Sequence, residues 1–226
     1  MDSKPNFGKF ILYSYWRSSC SWRVRIVLNM KKIKYEQIHI HLLKEGGQQF
    51  TEEYTKLNPA QRVPLLVFED LTTKKIHSIA ESSAICEFLE ETYPEETSLL
   101  SKDLVVRAKI RQIYNEIACN IQPIQNLCVL QVLEKDYKGD KTEWAHNWIK
   151  WGLEEVEQIL VSSRGKFCVG DSVSFADVYL VPQLYNARRF KVDLSGFKNI
   201  LEIEKNVSEI EEFKNAIPEN QPDAEK

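Results

Sequence analysis

Hydrophobic spacing changes period several times before Tyr93 and then becomes helical throughout. Phe10-Ile11-Leu12-Tyr13-Ser14-Tyr15 is short and rich in β-formers, which predicts a strand. Trp22 and Ile26, with Val24 and Leu28, give the next segment helical spacing and place Arg23 and Arg25 on more polar faces. Ser18, Ser19 and Ser21 are candidate caps for that helix. Residues 35–40 read as a second strand, and Gly46-Gly47 breaks the chain ahead of a short helix from Gln49 to Leu57 that Asn58-Pro59 stops. Val63-Pro64 leads into a third strand over 65–68, and a turn at Glu69-Asp70 precedes a fourth over 75–79. Ala84, Ile85, Phe88 and Leu89 mark a helix from Glu81 to Tyr93, ended by Pro94. Long amphipathic helices follow over 104–133 and 143–160, the first kinked or interrupted by Pro123. Ser174-Phe175-Ala176-Asp177 is a capping box with Asp in the N3 place, and the polar end 218–226 is expected to fray.

The order βαβαββα, with a proline just before the third strand, is the thioredoxin-type arrangement. The predicted fold is an α/β thioredoxin-like domain over 8–93, a linker over 94–101 and an all-α domain over 102–217. The 226 residues, 43% hydrophobic and 28% charged, suffice to bury a proper core. A net charge of -3 supplies no basic field for nucleic acid or anionic membrane. No apolar run has membrane-spanning length, and Met1-Asp2-Ser3-Lys4-Pro5 lacks the pattern of a signal peptide. Five cysteines without a Cys-x-x-Cys pair suit free thiols in a reducing cytoplasm.

The chemistry concentrates in Ser18-Ser19-Cys20-Ser21-Trp22-Arg23, between the first strand and first helix. A helix N-terminus offers free N–H donors and the positive end of the macrodipole, so a thiolate held there is stabilised. Thiols in such places can fall from about 8.5 into a range of about 3.5–7.5. The stabilised thiolate belongs either to Cys20 or to a bound thiol cofactor; the alternative is that the serines only cap and Cys20 only packs. Elsewhere the plainer readings prevail. Ser174 is a cap, Lys31-Lys32 a solvated helix end, and Trp144, Trp148 and Trp151 are packing residues. His39 and His41 share a strand face without a third ligand, so no metal site is expected.

The chain resembles the cytosolic glutathione transferases, and within them the zeta class, from about Phe10 to Gln221-Pro222-Asp223. Tyr13-Ser14-Tyr15-x-Arg17-Ser18-Ser19-Cys20-Ser21-Trp22-Arg23-Val24-Arg25-Ile26 carries the most specific likeness. Gly47-Gln48-Gln49-Phe50, Leu57-Asn58-Pro59, Val63-Pro64, Ile121-Gln122-Pro123-x-Gln125-Asn126-Leu127, Val169-Gly170-Asp171 and Arg189-Phe190-Lys191-Val192-Asp193 extend it in order. The resemblance implies a glutathione site formed by Ser18, Ser19, Cys20, Ser21, Trp22, Arg23, Gln49, Val63, Pro64, Glu81, Ser82, Gln122 and Asn126. Within it, Val63 would pair its backbone with the cysteinyl part, through a cis peptide at Pro64. Ser82 and Glu81 would hold the γ-glutamyl end, and Gln49 the glycyl end. Glu81 stands where the class usually has Gln, and Cys128 where it usually has Ser. Gln122 and Asn126, spaced i and i+4, are expected on one helix face.

The implied activity is glutathione-dependent cis–trans isomerisation of a small dicarboxylate, maleylacetoacetate to fumarylacetoacetate, in tyrosine and phenylalanine breakdown. Transferase activity on small α-halo acids is associated with the class. Ser18 is the first candidate for thiolate stabilisation, with Ser19 and Cys20 sharing the catalytic pocket. Arg17, Arg23 and Arg189 are the cationic candidates for substrate carboxylates, and Arg25 is equally readable as structural. A homodimer is expected. Two rival readings remain: a thiol transferase in which Cys20 forms the mixed disulfide, and a non-catalytic binding module on the same fold.

Overall fold

The computed structural model describes residues 6–225. Met1 to Pro5, on which the signal-peptide reading fell, and Lys226 lie outside them. Two compact units form: residues 6–97 together with 211–225, and residues 98–210.

The first unit is built on a four-stranded sheet in the order β2-β1-β3-β4, from β1 (Phe10–Ser14), β2 (Tyr35–His39), β3 (Leu65–Asp70) and β4 (Lys75–Ala80). β1 runs parallel to β2, Leu12 opposite Gln37, and antiparallel to β3, where Leu12 meets Leu66. β4 closes the sheet antiparallel to β3. Phe10, Leu12 and Ser14 are buried along one face of β1, as strand alternation requires. Leu65, Leu66 and Phe68 are buried in β3. α1 (Ser19–Met30) and α3 (Ser82–Thr92) pack on each other, while α2 (Glu52–Leu57) precedes a cis Val63-Pro64 peptide. This is the thioredoxin-like arrangement the strand order predicted.

Three expectations in this unit are corrected. Arg23 and Arg25 do not lie on polar faces: α1 is buried nearly all round, and the two arginines are 1% and 0% exposed. Lys31 is not solvated; it is buried at the end of α1, 2.6 Å from Glu90 and 3.1 Å from the Tyr93 carbonyl. A buried ammonium persists because both partners satisfy it. Residues 218–225 do not fray. α9 (Glu211–Lys214) packs on α1, and residues 218–220 form a 3₁₀ turn before a buried Gln221.

The second unit is helical: α4 (Leu104–Asn115), α5 (Leu127–Tyr137), α6 (Lys141–Ser163), α7 (Phe175–Arg189) and α8 (Lys198–Val207). Ile113, Ile149, Leu153, Val156, Leu160, Val178 and Leu184 are fully buried. The segment over 104–133 is interrupted at Pro123, as expected. α4 passes into a π-helical segment, Glu116–Ile121, and a turn carries Pro123 before α5 starts. Proline removes an N–H and collides with the carbonyl four residues back, so the helix restarts. Gly152 of α6 permits close approach here, since a Cβ would lie 2.3 Å from Cγ1 of Ile121. The Ser174–Asp177 box is present: Asp177 Oδ2 accepts from the Ser174 N–H at 2.8 Å and its hydroxyl at 2.9 Å, while Oδ1 accepts from Cys168 N–H at 2.9 Å. Burial pushes the Asp177 carboxyl up, against those donors.

Candidate active site

The turn between β1 and α1 positions the candidate nucleophile site. Ser18 is the N-cap: its Oγ accepts from the Ser21 N–H at 3.2 Å, and its carbonyl begins the helix by accepting from Trp22 N–H at 2.9 Å. The Ser18 hydroxyl hydrogen is thereby left for another acceptor. The N–H groups of Ser19 and Cys20 have no hydrogen-bond partner among the described residues, as the first turn of a helix dictates. One hydroxyl and two amide donors at the positive end of α1 thus form a place suited to an anion. Cys20 is half-buried, with its Sγ 3.7 Å from Nη1 of Arg23. Arg17 occupies the turn with its guanidinium 5.1 Å from the Trp16 ring.

Arg23 does not project as a free cation. Its Nη1 also donates to Ser82 Oγ at 3.3 Å, tying α1 to the start of α3. Ser21 and Trp22 are buried beside it, so both support the turn from beneath. Ser82 opens α3, and Glu81 before it is exposed with φ 71° and ψ 119°. A non-glycine residue held there stores about 1–3 kcal/mol of strain, which aims Glu81 outward and leaves the Ser82 N–H uncommitted.

Val63 lies in a bend just before β3 and is buried. Its backbone makes no hydrogen bond among the described residues, while the carbonyl of Arg62 before it is held by Tyr54 Oη at 2.6 Å and Asn58 Nδ2 at 2.7 Å. Burial pushes the Tyr54 phenol up to about 12, so it stays a donor at neutral pH. Gln49 is 5% exposed, and its Oε1 lacks a partner while Nε2 contacts the Leu42 carbonyl at 3.4 Å. An unpaired peptide, an orphaned buried amide oxygen and two helix N-termini match the peptide groups and carboxylates of glutathione.

The remaining candidates belong to the helical unit. Gln122 ends the π segment and Asn126 caps α5, its Oδ1 accepting from Cys128 N–H at 3.3 Å. They do not share a regular helix face, because the turn through Pro123 separates them. Arg189 is the last residue of α7, exposed, 5.2 Å from the Phe190 ring. His39 and His41 meet carboxylates: Asp223 Oδ1 and Glu225 Oε1 lie 3.1 Å from their ring nitrogens. Tyr54, Asn58 and Arg25 escaped the sequence-based site. Asn58 lay within a matched motif, but a carbonyl clamp leaves no mark in spacing.

The family model described as "Glutathione S-transferase, N-terminal domain" matches residues 12–97, and "Glutathione S-transferase, C-terminal domain" matches 124–218. The chain is 51% identical over 221 residues to a maleylacetoacetate isomerase of Dictyostelium discoideum, covering 96% of this chain and 97% of that protein. To the Mus musculus maleylacetoacetate isomerase it is 50% identical over 216 residues, covering 96% and 95%. A crystal structure of the Anaeromyxobacter dehalogenans maleylacetoacetate isomerase, with glutathione bound in its active site, superposes with a TM-score of 0.88 at 38% identity, covering 98% of this chain and all of that one. A bacterial maleylpyruvate isomerase described as zeta class gives 0.87 at 36% identity over 95% of this chain. Motif, fold and likeness over nearly the full length agree: the chain belongs to the glutathione S-transferase family, in its zeta class.

Proposed function

We propose that this enzyme isomerises maleylacetoacetate to fumarylacetoacetate with glutathione as cofactor. The observation that carries the reading is the Ser18 turn, with a hydroxyl hydrogen and two amide N–H groups unspent at the positive end of α1. Bound glutathione supplies a thiolate that adds reversibly to a conjugated double bond and leaves after rotation about the resulting single bond. Ser18 donates to that sulfur and holds it ionised at neutral pH. Ser19 and Cys20 complete the turn. Gln49, Val63, Pro64, Glu81 and Ser82 bind and orient the tripeptide, and Gln122 and Asn126 contribute from the helical unit. Arg17 and Arg189 take the substrate carboxylates, and Arg23 braces Cys20 and Ser82. Small α-halo acids fit the same thiolate as displacement substrates. We place the enzyme in the cytoplasm as a homodimer; Leu104 and Val105 of α4, 76% and 78% exposed, support an apolar subunit contact.

The test is an absorbance assay of maleylacetone or maleylacetoacetate isomerisation with and without glutathione. Turnover that requires glutathione is expected; a folded, glutathione-bound protein without it refutes the reading. A thiol transferase centred on Cys20 has one observation in its favour, the Arg23 guanidinium at 3.7 Å from Sγ. Mixed-disulfide reduction outpacing isomerisation would select that reaction instead.

A further inference from the structure

Trp16, two residues before the cap, is held at both of its backbone polar groups by side chains distant in sequence. Its N–H donates to Oδ2 of Asp223 at 2.9 Å, and its carbonyl accepts from Nη2 of Arg25 at 3.0 Å. Arg25 is fully buried and spends its other donors on Ser14 Oγ at 3.2 Å, on the Tyr15 carbonyl at 3.5 Å and on the Ala216 carbonyl, from Nε at 3.2 Å and Nη2 at 3.1 Å. Burial lowers its pKa to about 10, so it remains a cation at neutral pH, and Asp223 exerts an opposing attraction on it. The Trp16 segment is thus gripped between a buried cation and a carboxylate whose side chain is 14% exposed.

The segment carrying that carboxylate is itself built. Gln221 Nε2 donates to the Asn215 and Ile217 carbonyls at 3.1 and 2.8 Å, and its Oε1 accepts from Gln37 at 3.1 Å on β2. The Ala224 N–H donates to the Gln221 carbonyl at 3.0 Å, and Ala224 packs against the cluster containing Tyr15 and Trp16. The turn it meets is held locally by three bonds, Ser18 N–H to the Tyr15 carbonyl at 3.0 Å, Trp22 N–H to the Ser18 carbonyl at 2.9 Å and Ser21 N–H to Ser18 Oγ at 3.2 Å, none of which holds the Trp16 N–H.

We propose that Asp223 is a positioning residue for the thiolate site, acting through the Trp16 N–H to fix where Ser18 and the first turn of α1 present their donors. Charge-assisted bonds to backbone N–H groups are short and strong, so this one fixes the turn more tightly than water would. The inference rests on the reading of Ser18 as donor to the glutathione thiolate, and it gives the end of the chain a part in the chemistry.

The experiment uses the full chain as wild type, Asp223→Ala, Asp223→Asn, Asp223→Glu and Glu225→Ala. The ionisation of bound glutathione is followed by thiolate ultraviolet absorbance, alongside maleylacetone kinetics and thermal melts. In Asp223→Ala the ionisation midpoint is expected to rise by about one pH unit, giving a roughly tenfold fall in kcat below the wild-type midpoint and a smaller one at neutral pH, while the KM for glutathione changes less. Asp223→Asn, which keeps an acceptor, recovers most of both. Glu225→Ala, whose carboxylate meets His41 and Lys44 and not the Trp16 N–H, titrates like the wild type. An unchanged midpoint in folded Asp223→Ala overturns the proposal, as does an equal rise in Glu225→Ala, which would mean packing alone. If Asp223→Ala does not fold, Asp223→Glu decides: it keeps the charge but displaces the acceptor, and a wild-type midpoint there overturns the proposal. The thiol titration needs no substrate, so a wild type that binds glutathione without isomerising anything refutes the proposed activity and leaves this test standing.

Discussion

Ser18→Ala removes two things at once, and the structure separates their sizes. The first is the cap: Ser18 Oγ accepts from the Ser21 N–H at 3.2 Å, and losing an N-cap acceptor costs about 1 kcal/mol of stability. For a chain of this length that lowers Tm by about 2–4 °C. The second is the hydroxyl hydrogen that the proposed mechanism gives to the glutathione thiolate. Removing one preorganised donor to a developing or resident anion costs on the order of 10²–10³ in kcat, about 3–4 kcal/mol. Stability and turnover therefore fall by unequal amounts. Ser18→Asp pulls them apart further, since aspartate caps as well as serine but offers no donor when ionised and sets a negative charge beside the sulfur. Its Tm should match the wild type while its turnover falls at least as far as in Ser18→Ala. The assay is steady-state maleylacetone isomerisation across a glutathione titration, paired with circular-dichroism melts and calorimetric glutathione binding. Near wild-type turnover in a folded, glutathione-saturated Ser18→Ala refutes the donor role. Loss of turnover in Ser18→Ala with full activity in Ser18→Asp would show that the cap alone matters.

Cys20→Ala and Cys20→Ser should keep substantial isomerase activity with a changed apparent KM for glutathione, because the nucleophile is the cofactor's thiol; inactivity of both, in folded proteins that bind glutathione, would move the chemistry onto Cys20. Gly152→Ala should cost about 1–3 kcal/mol in urea denaturation, since its Cβ would lie 2.3 Å from Ile121 Cγ1, and an unshifted midpoint would show that the π segment yields freely. The Glu225 carboxyl is held below its ordinary value, first by a hydrogen bond from Lys44 and then by one from His41. A lowered acid stabilises its contact fully above the unfolded value and loses that contribution as pH falls through the native one. The Glu225 contact should therefore persist at neutral pH and release only below the usual glutamate range, which a carboxyl carbon NMR titration of Glu225 would contradict by a midpoint at or above the usual glutamate value.

Strands and helices with one dominant face were legible before any coordinates. β1, β3 and α3 carry runs or periods that only one element satisfies, and Pro64, Pro94 and Pro123 punctuate where proline chemistry demands. Periodicity failed where burial was not one-sided. α1 is enclosed on every side, so its two arginines looked like a polar face although each is buried and bonded. Lys31 misled for the same reason, because its partner Glu90 lies on α3, some sixty positions away. Among the helices, a π segment has no signature beyond the proline that follows it, and so the separation of Gln122 from Asn126 could not be read from their spacing.

The site divides along the same line. The Ser18 cap was legible because caps are local, the residue and the groups it serves lying within one turn, whereas Glu81 and Ser82 came from the resemblance and form no side-chain cap on α3. What holds them in place is not local. Tyr54 and Asn58 act on a carbonyl at Arg62, Arg23 reaches Ser82 across two helices, and Asp223 meets Trp16 from the far end of the chain. Such partners are polar residues in ordinary polar surroundings, and composition expects them to be solvated. A thiolate site needs donors fixed before the anion arrives, since reorganisation during the reaction would cancel the gain. The turn carrying Ser18 is therefore short and readable, whereas the contacts that hold it are supplied by residues whose sequence neighbours say nothing about them.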